Sequence, residues 1–139
     1  MSNNSFSSPE DVEAAFYKAI EKRNLTALMT VWAEDEEIVC IHPSGAHLVG
    51  FAAIQSSWRS ILNDPRVEIR HQAIAQWQGM MMVVRHLIEQ LHAGRDASGP
   101  IQATHVYLRG PHGWRLVCRH ASPGSSPILR PEKEYRVLH

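Results

Sequence analysis

A chain of 139 residues, 44% of them hydrophobic and 20% charged, has the size and composition of one globular domain with one core. Fourteen basic residues balance fourteen acidic ones, which argues against a nucleic-acid or membrane-surface partner. The polar start MSNNSFSSPE lacks the build of a signal peptide, no apolar run approaches the roughly 20 residues of a membrane span, and two cysteines make no disulfide framework, so a cytoplasmic protein is expected.

The first helix is announced at Ser8-Pro9-Glu10-Asp11, an N-cap, a first-turn proline and acidic residues at the positive end of the helix dipole. Val12, Ala15, Phe16, Ala19 and Ile20 then repeat as one buried stripe. Asn24 restarts a shorter helix with Leu25, Leu28, Met29 and Trp32 on its apolar side. The acidic run 34–37 reads as a solvated loop, and Ile38 to Ile41 as a short strand. That strand ends in His42-Pro43, because proline has no N–H to continue the pairing. A third helix runs from about Phe51 to Leu62, with Ile54, Trp58, Ile61 and Leu62 on one face, and Asn63-Asp64-Pro65 stops it.

From Val67 the period changes to two. Val67, Ile69, His71, Ala73, Ala75 and Trp77 alternate with polar residues along a first long strand. Met80 to Leu91 forms a second, apolar on both faces in its first half, which predicts a core on one side and a partner surface on the other. Residues 92–100 read as a hairpin loop, Ile101 to Arg109 as a third strand, 110–113 as a turn and Trp114 to Ala121 as a fourth. Residues 1–123 are expected to form the single domain and 124–139 a loose tail. Helices ahead of an antiparallel meander predict an α+β fold with the helices on one face of the sheet.

The segment VWAEDEEIVCIHPSGAHLVGFAAIQSSW (31–58) resembles the nuclear transport factor 2-like superfamily, and its SnoaL-like branch in particular. GWRLVCRHASP (113–123) resembles the last strand of a bacterial subgroup. The resemblance spans roughly Val12 to Pro123. It implies a cystatin-like cone, with three N-terminal helices on a curved, mostly antiparallel sheet. It also implies a pocket inside the cone and a homodimer formed through the sheet's outer face. Members include ketosteroid isomerases, cyclases, dehydratases and non-catalytic association domains. The isomerases' catalytic Asp-Pro corresponds to His42-Pro43. Their oxyanion tyrosine corresponds to Phe16, with Tyr17 one position on, and their protonated aspartate falls near Thr104. Without those two donors, ketosteroid isomerase activity is not expected.

Nine histidines supply titratable groups near neutral pH. Cys40-x-His42 and Cys118-x-His120 lie on strands that neighbour each other in the resembling fold, yet tetrahedral metal ligation from flat strands is rare. No metal and no cofactor are expected. The expected function is SnoaL-like binding of an apolar small molecule, with isomerase-, cyclase- or dehydratase-type chemistry driven by a pocket histidine. His42 is the candidate base and His120 its neighbouring donor. Trp32, Trp58, Tyr17, Cys40, Cys118 and His105 are candidate ligand contacts. The alternative is a non-catalytic ligand-binding or dimeric association module.

Overall fold

The structure, a computed structural model of the chain, describes residues 5–65, 67–93, 96–124 and 129. Three helices precede the four long strands, the third following a short strand pair. α1 (Pro9–Glu21) starts where expected: the Ser8 side chain accepts a hydrogen bond from the Asp11 backbone N–H at 3.1 Å. Val12, Phe16, Ala19 and Ile20 form its buried stripe. α2 (Leu25–Val31) is capped in the same way by Asn24, which accepts from the Ala27 N–H at 3.0 Å. α3 (Phe51–Leu62) buries Ile54, Trp58 and Leu62 and begins after Gly50. Gly50 has φ +94, and an added Cβ would sit 3.3 Å from the Glu36 carbonyl oxygen. Glycine is therefore the residue that lets the chain turn into α3 at this point.

Six strands build one sheet: β1 (Val39–Ile41), β2 (His47–Val49), β3 (Val67–Gln78), β4 (Met82–Ala93), β5 (Asp96–Gly110) and β6 (Gly113–Pro123). Their order is β2-β1-β6-β5-β4-β3. β1 runs parallel to β6, and every other pair is antiparallel. The fold is α+β, three helices on a mixed six-stranded sheet. Register shifts leave one extra residue at Ile74 in β3, at Ser98 in β5 and at Val117 in β6. Such bulges bend and twist a strand, and here they curve the long strands around the helical layer. Phe16, Leu28, Trp32, Ile54, Trp58, Leu87, Tyr107 and Leu116 form the centre of the core between the layers.

Three sequence expectations change. β2 was not anticipated, because three residues between turn signals carry too little pattern. The loop expected over 92–100 is mostly strand, with β4 reaching Ala93 and β5 beginning at Asp96. The face assigned to β3 breaks at the Ile74 bulge, so Gln76 pairs with Arg85 on the inner side and Trp77 turns outward, 59% exposed. On β4, where a partner surface is expected on the second side, Met80, Met81 and Met82 of its turn and first residue are exposed within one chain. The domain strands end at Pro123, and most of the expected tail lies outside the described residues. Among the described residues no helix is long and apolar enough to cross a membrane.

Candidate functional site

The helical layer and the inner sheet face enclose a cavity of about 470 Å³. His42 and Pro43 reach it from the end of β1, and Ser57, Trp58 and Ile61 from α3. Val67 and Ile69 of β3, Leu91 of β4 and Ile101 of β5 make an apolar wall, and Arg119 of β6 borders it. A second cleft of about 540 Å³ lies beside α1 and α2. Its only titratable lining groups are Lys18 and Lys22, so it offers none of this chemistry.

Arg119 is buried, and its position follows from the Val117 bulge. Simple alternation from Trp114 and Leu116 would send Cys118 and His120 inward. The extra residue reverses the parity, so Arg119 and Ala121 face the core instead. Arg119 Nη1 and Nη2 donate to the two Glu89 carboxylate oxygens at 2.6 and 2.9 Å. The Tyr17 hydroxyl donates to the same carboxylate, and the His71 ring stacks on Tyr17 at 3.7 Å. Arg119 Nη1 also lies 3.0 Å from His105 Nε2. A guanidinium only donates, so Nε2 accepts and the His105 hydrogen sits on Nδ1, directed at the Tyr107 hydroxyl 2.8 Å away. Tyr107 in turn donates to Glu13 at 3.1 Å, and Glu13 is paired with Arg85 at 2.7 and 3.0 Å. Polar groups from α1, β4, β5 and β6 thus form one directed chain through the interior.

Each protonation state has a physical cause. Burial works against both charges of the central pair. Mutual attraction overrides it, holding Glu89 below the ordinary carboxylate value and Arg119 above the ordinary guanidinium value. Burial and then Arg119 push His105 well below its usual value, so it is neutral. Burial, reinforced by Glu89 for Tyr17 and by Glu13 for Tyr107, raises both tyrosines, which stay protonated. Burial raises the Cys40 thiol to about 11. His42 is 7% exposed, and burial followed by the Arg119 charge lowers its pKa to about 4. Its Nε2 lies 2.8 Å from Ser57 Oγ and 3.9 Å from Cys40 Sγ. Three buried N–H groups lack a hydrogen-bond partner among the described residues: Trp32 Nε1, Trp58 Nε1 and Arg119 Nε. Two of them belong to residues that border the cavity.

The expected site residues divide into three groups. His42 and Trp58 line the cavity, with Cys40 behind them in the core. Tyr17 and His105 are buried in the polar chain, and Trp32 is core at the end of α2, bridged to Leu116. Cys118 and His120 do not join them. Cys40 pairs with Arg119 while Cys118 pairs with Val39, so the two Cys-x-His motifs occupy opposite faces of the sheet, and His120 is exposed. No group of three His, Cys, Asp or Glu side chains arranged for a metal ion occurs among the described residues. Glu89 and Ser57 escaped sequence reasoning, and so did the inward face of Arg119. The Cys-x-His pattern drew attention to the residues on either side of Arg119.

Comparison with known proteins agrees with this architecture. The family model described as the SnoaL-like domain matches residues 10–126. The chain belongs to the SnoaL-like domain family. A Thiobacillus denitrificans structure described as a calcium/calmodulin-dependent protein kinase type II association domain is 39% identical, with TM-score 0.81. That match covers 88% of this chain and 99% of the other. A Streptomyces avermitilis protein described as a dehydratase of the nuclear transport factor 2-like family shares 23% identity, with TM-score 0.71 over 83% and 92% of the two chains. A ketosteroid isomerase-like protein from Erwinia carotovora shares 13%, with TM-score 0.68 over 84% and 94%. The last two likenesses speak to the fold alone. No curated protein matches the chain.

Two outcomes follow from the buried charges. Glu89→Ala leaves the Arg119 cation unpaired and lowers the unfolding free energy by about 3–5 kcal/mol in urea titration. Replacing both partners by methionine costs clearly less than that single change. The second outcome concerns acid. His42 titrates near 4 in the fold and near 6.5 unfolded. Between those values the unfolded chain binds a proton that the folded chain does not. Stability is therefore complete above about pH 6.5 and falls as pH drops toward about 4, with His105 acting in the same direction. His42→Gln flattens that slope in denaturation curves measured across the window.

Proposed function

We propose that the cavity binds a neutral carbonyl compound with an apolar body, and that His42 takes a proton from the carbon beside the carbonyl. The reading is carried by one observation: His42, Ser57 and Arg119 line one mostly apolar cavity, whose other polar groups are Ser44 and Ser60. A base must be unprotonated at working pH, and His42 is. A conjugate-acid pKa of about 4 puts His42 in the basicity range of the carboxylate that enolises ketosteroids. Loss of that proton moves charge onto the carbonyl oxygen, where a preorganised donor counts most. Arg119, which borders the cavity, is the candidate donor. Trp58 and the walls of β3 to β5 take the apolar body. Isomerisation, cyclisation and dehydration all begin with such a step, so the reading names a reaction class within the SnoaL-like fold.

A second reading concerns the outer sheet face. Trp77, Val84, Val106, Cys118, Val39 and Val49 are successive register partners across all six strands. They form a continuous apolar row, with Trp77 and Val49 exposed at its ends. A patch of this kind is the mark of an association surface. The Thiobacillus denitrificans relative, described as an association domain, supports self-association through this face. A homodimer built here leaves the cavity on the opposite face. Two unpaired thiols, one on each side of the sheet, suit a reducing compartment such as the cytoplasm.

The binding reading is tested by thermal-shift and native mass spectrometry screening of matched apolar ketones, carboxylates and alcohols. Hydrogen–deuterium exchange at the carbon beside the carbonyl is then followed for those that bind. Ketones raise the melting temperature, and the protein accelerates exchange. His42→Ala slows that exchange at least ~100-fold while ketone affinity changes less than about tenfold. Equal exchange in both proteins, or no preference for ketones, removes the proposal. For the outer face, Val106→Asp places a charge in the middle of the apolar row. Sedimentation equilibrium should show the dimer weakened by about tenfold or more, a loss of at least about 1.4 kcal/mol. A wild-type chain that is monomeric at high concentration defeats the association reading.

A further inference from the structure

His42 makes its hydrogen-bond contacts through one nitrogen. Nε2 faces Ser57 Oγ at 2.8 Å and, more distantly, Cys40 Sγ at 3.9 Å. Nδ1 has no partner among the described residues, and it is not one of their buried unpartnered atoms. The ring is thus held on one side and open on the other. Which nitrogen carries the hydrogen decides what His42 can do.

We infer that Ser57 is a positioning residue whose Oγ accepts the Nε2 hydrogen of His42 and so leaves the Nδ1 lone pair for the ligand's proton. This rests on the reading of the cavity as a ligand site and specifies the atoms that meet the ligand. Three observations support it. The two heteroatoms around Nε2, an oxygen and a sulfur, both accept hydrogen bonds. The Nε2–H form is also the tautomer that a free imidazole favours. Ser57 lines the cavity, so its own hydroxyl hydrogen is able to turn toward a ligand. The Nδ1 lone pair then points away from Ser57, on the open side of the ring, where a C–H of the ligand meets it. The opposite tautomer spends the lone pair on Ser57, presents only an N–H to the cavity and leaves no base there. The proton balance is simple: it leaves carbon for Nδ1, the carbon's electron pair forms the enolate, and reprotonation of that carbon from Nδ1 regenerates neutral His42.

The titratable and polar groups around the ring are Cys40 from β1, Arg119 from β6 and Ser57 from α3, with the Trp58 ring edge-on at 5.3 Å. Cys40 and Arg119 are the same in a Ser57 variant, so a change in His42 titration reports the serine. Nitrogen NMR of histidine-labelled protein, with His42 assigned through His42→Gln, reads both the tautomer and the titration without any ligand. Wild type is expected as the Nε2–H tautomer. Ser57→Ala removes an acceptor that serves the cation as well as the neutral ring. Its midpoint therefore falls by about half a unit to one unit, and the two tautomers mix. Ser57→Thr keeps the hydroxyl and restores both signals. A hydrogen on Nδ1 in wild type, a midpoint that rises in Ser57→Ala, or spectra that do not change would each overturn the assignment. These readings stand whether or not ketones bind, so they fail separately from the functional proposal.

Discussion

A guanidinium and a carboxylate sealed from water set the terms for the rest of this molecule. Dehydrating each ion costs several kcal/mol, and only close geometry with full hydrogen bonding recovers it. Glu89 and Arg119 stand on β4 and β6, with β5 between them, and meet end-on across its inner face. Ala103 and Ala121 lie on that face near the crossing, where larger side chains would occupy the same space. Phe16 and Trp58 present their rings to the guanidinium at 5.4 and 5.9 Å. What the pair still needs comes from neutral groups. Tyr17 donates to the carboxylate, and His105 accepts from the guanidinium. Because arginine cannot accept, the direction of every later hydrogen bond out to Glu13 and Arg85 is dictated from the centre. The helical layer and the sheet are thereby locked in one relative placement, and the cavity walls with them.

The same pair shapes the electrostatics of the cavity. Arg119 borders it as a cation, but its charge is balanced by Glu89 a hydrogen bond away. His42, the other titratable group lining the cavity, is neutral over the physiological range. A site with an arginine in its wall is therefore close to neutral overall. A carboxylate ligand entering it would lose its hydration and meet a cation already committed to another anion. A ketone loses little on dehydration and brings no charge that needs a counter-ion. This balance, rather than the presence of an arginine, favours a neutral carbonyl partner.

Much of the fold was legible because it rests on local and periodic signals. Ser8 and Asn24 cap helices as their sequence context predicts, and the stripe from Val12 to Ile20 is buried. The switch to period two after Pro65 marks the start of the long strands. The site was less legible because it depends on which face each strand residue takes. A single inserted residue at Val117 reverses that assignment for the rest of β6. Nothing in the run WRLVCRHA marks the bulge, so Cys118 and His120 read as inward. Glu89 was hidden in the same manner, inside a strand whose neighbours on that face, Leu87 and Leu91, read as plain core. Ser57 is a helix residue fifteen positions after His42. Only the β1–β2 hairpin and the turn at Gly50 bring α3 back over the strand end.

The bulge also links the two faces of the sheet. By turning Arg119 inward it places Cys118 outward, where it continues the apolar row from Val106 to Val39. In the next row His86, Thr104, His120 and Ile41 are register partners, so polar groups border the apolar ones. Without the bulge, β6 would carry Cys118 and His120 into the cavity and expose an arginine in the middle of the outer face. The central ion pair would be lost and the apolar row interrupted together. One backbone irregularity thus couples the interior that supports chemistry to the surface that supports association. Selection acting on either face alone would be enough to retain it.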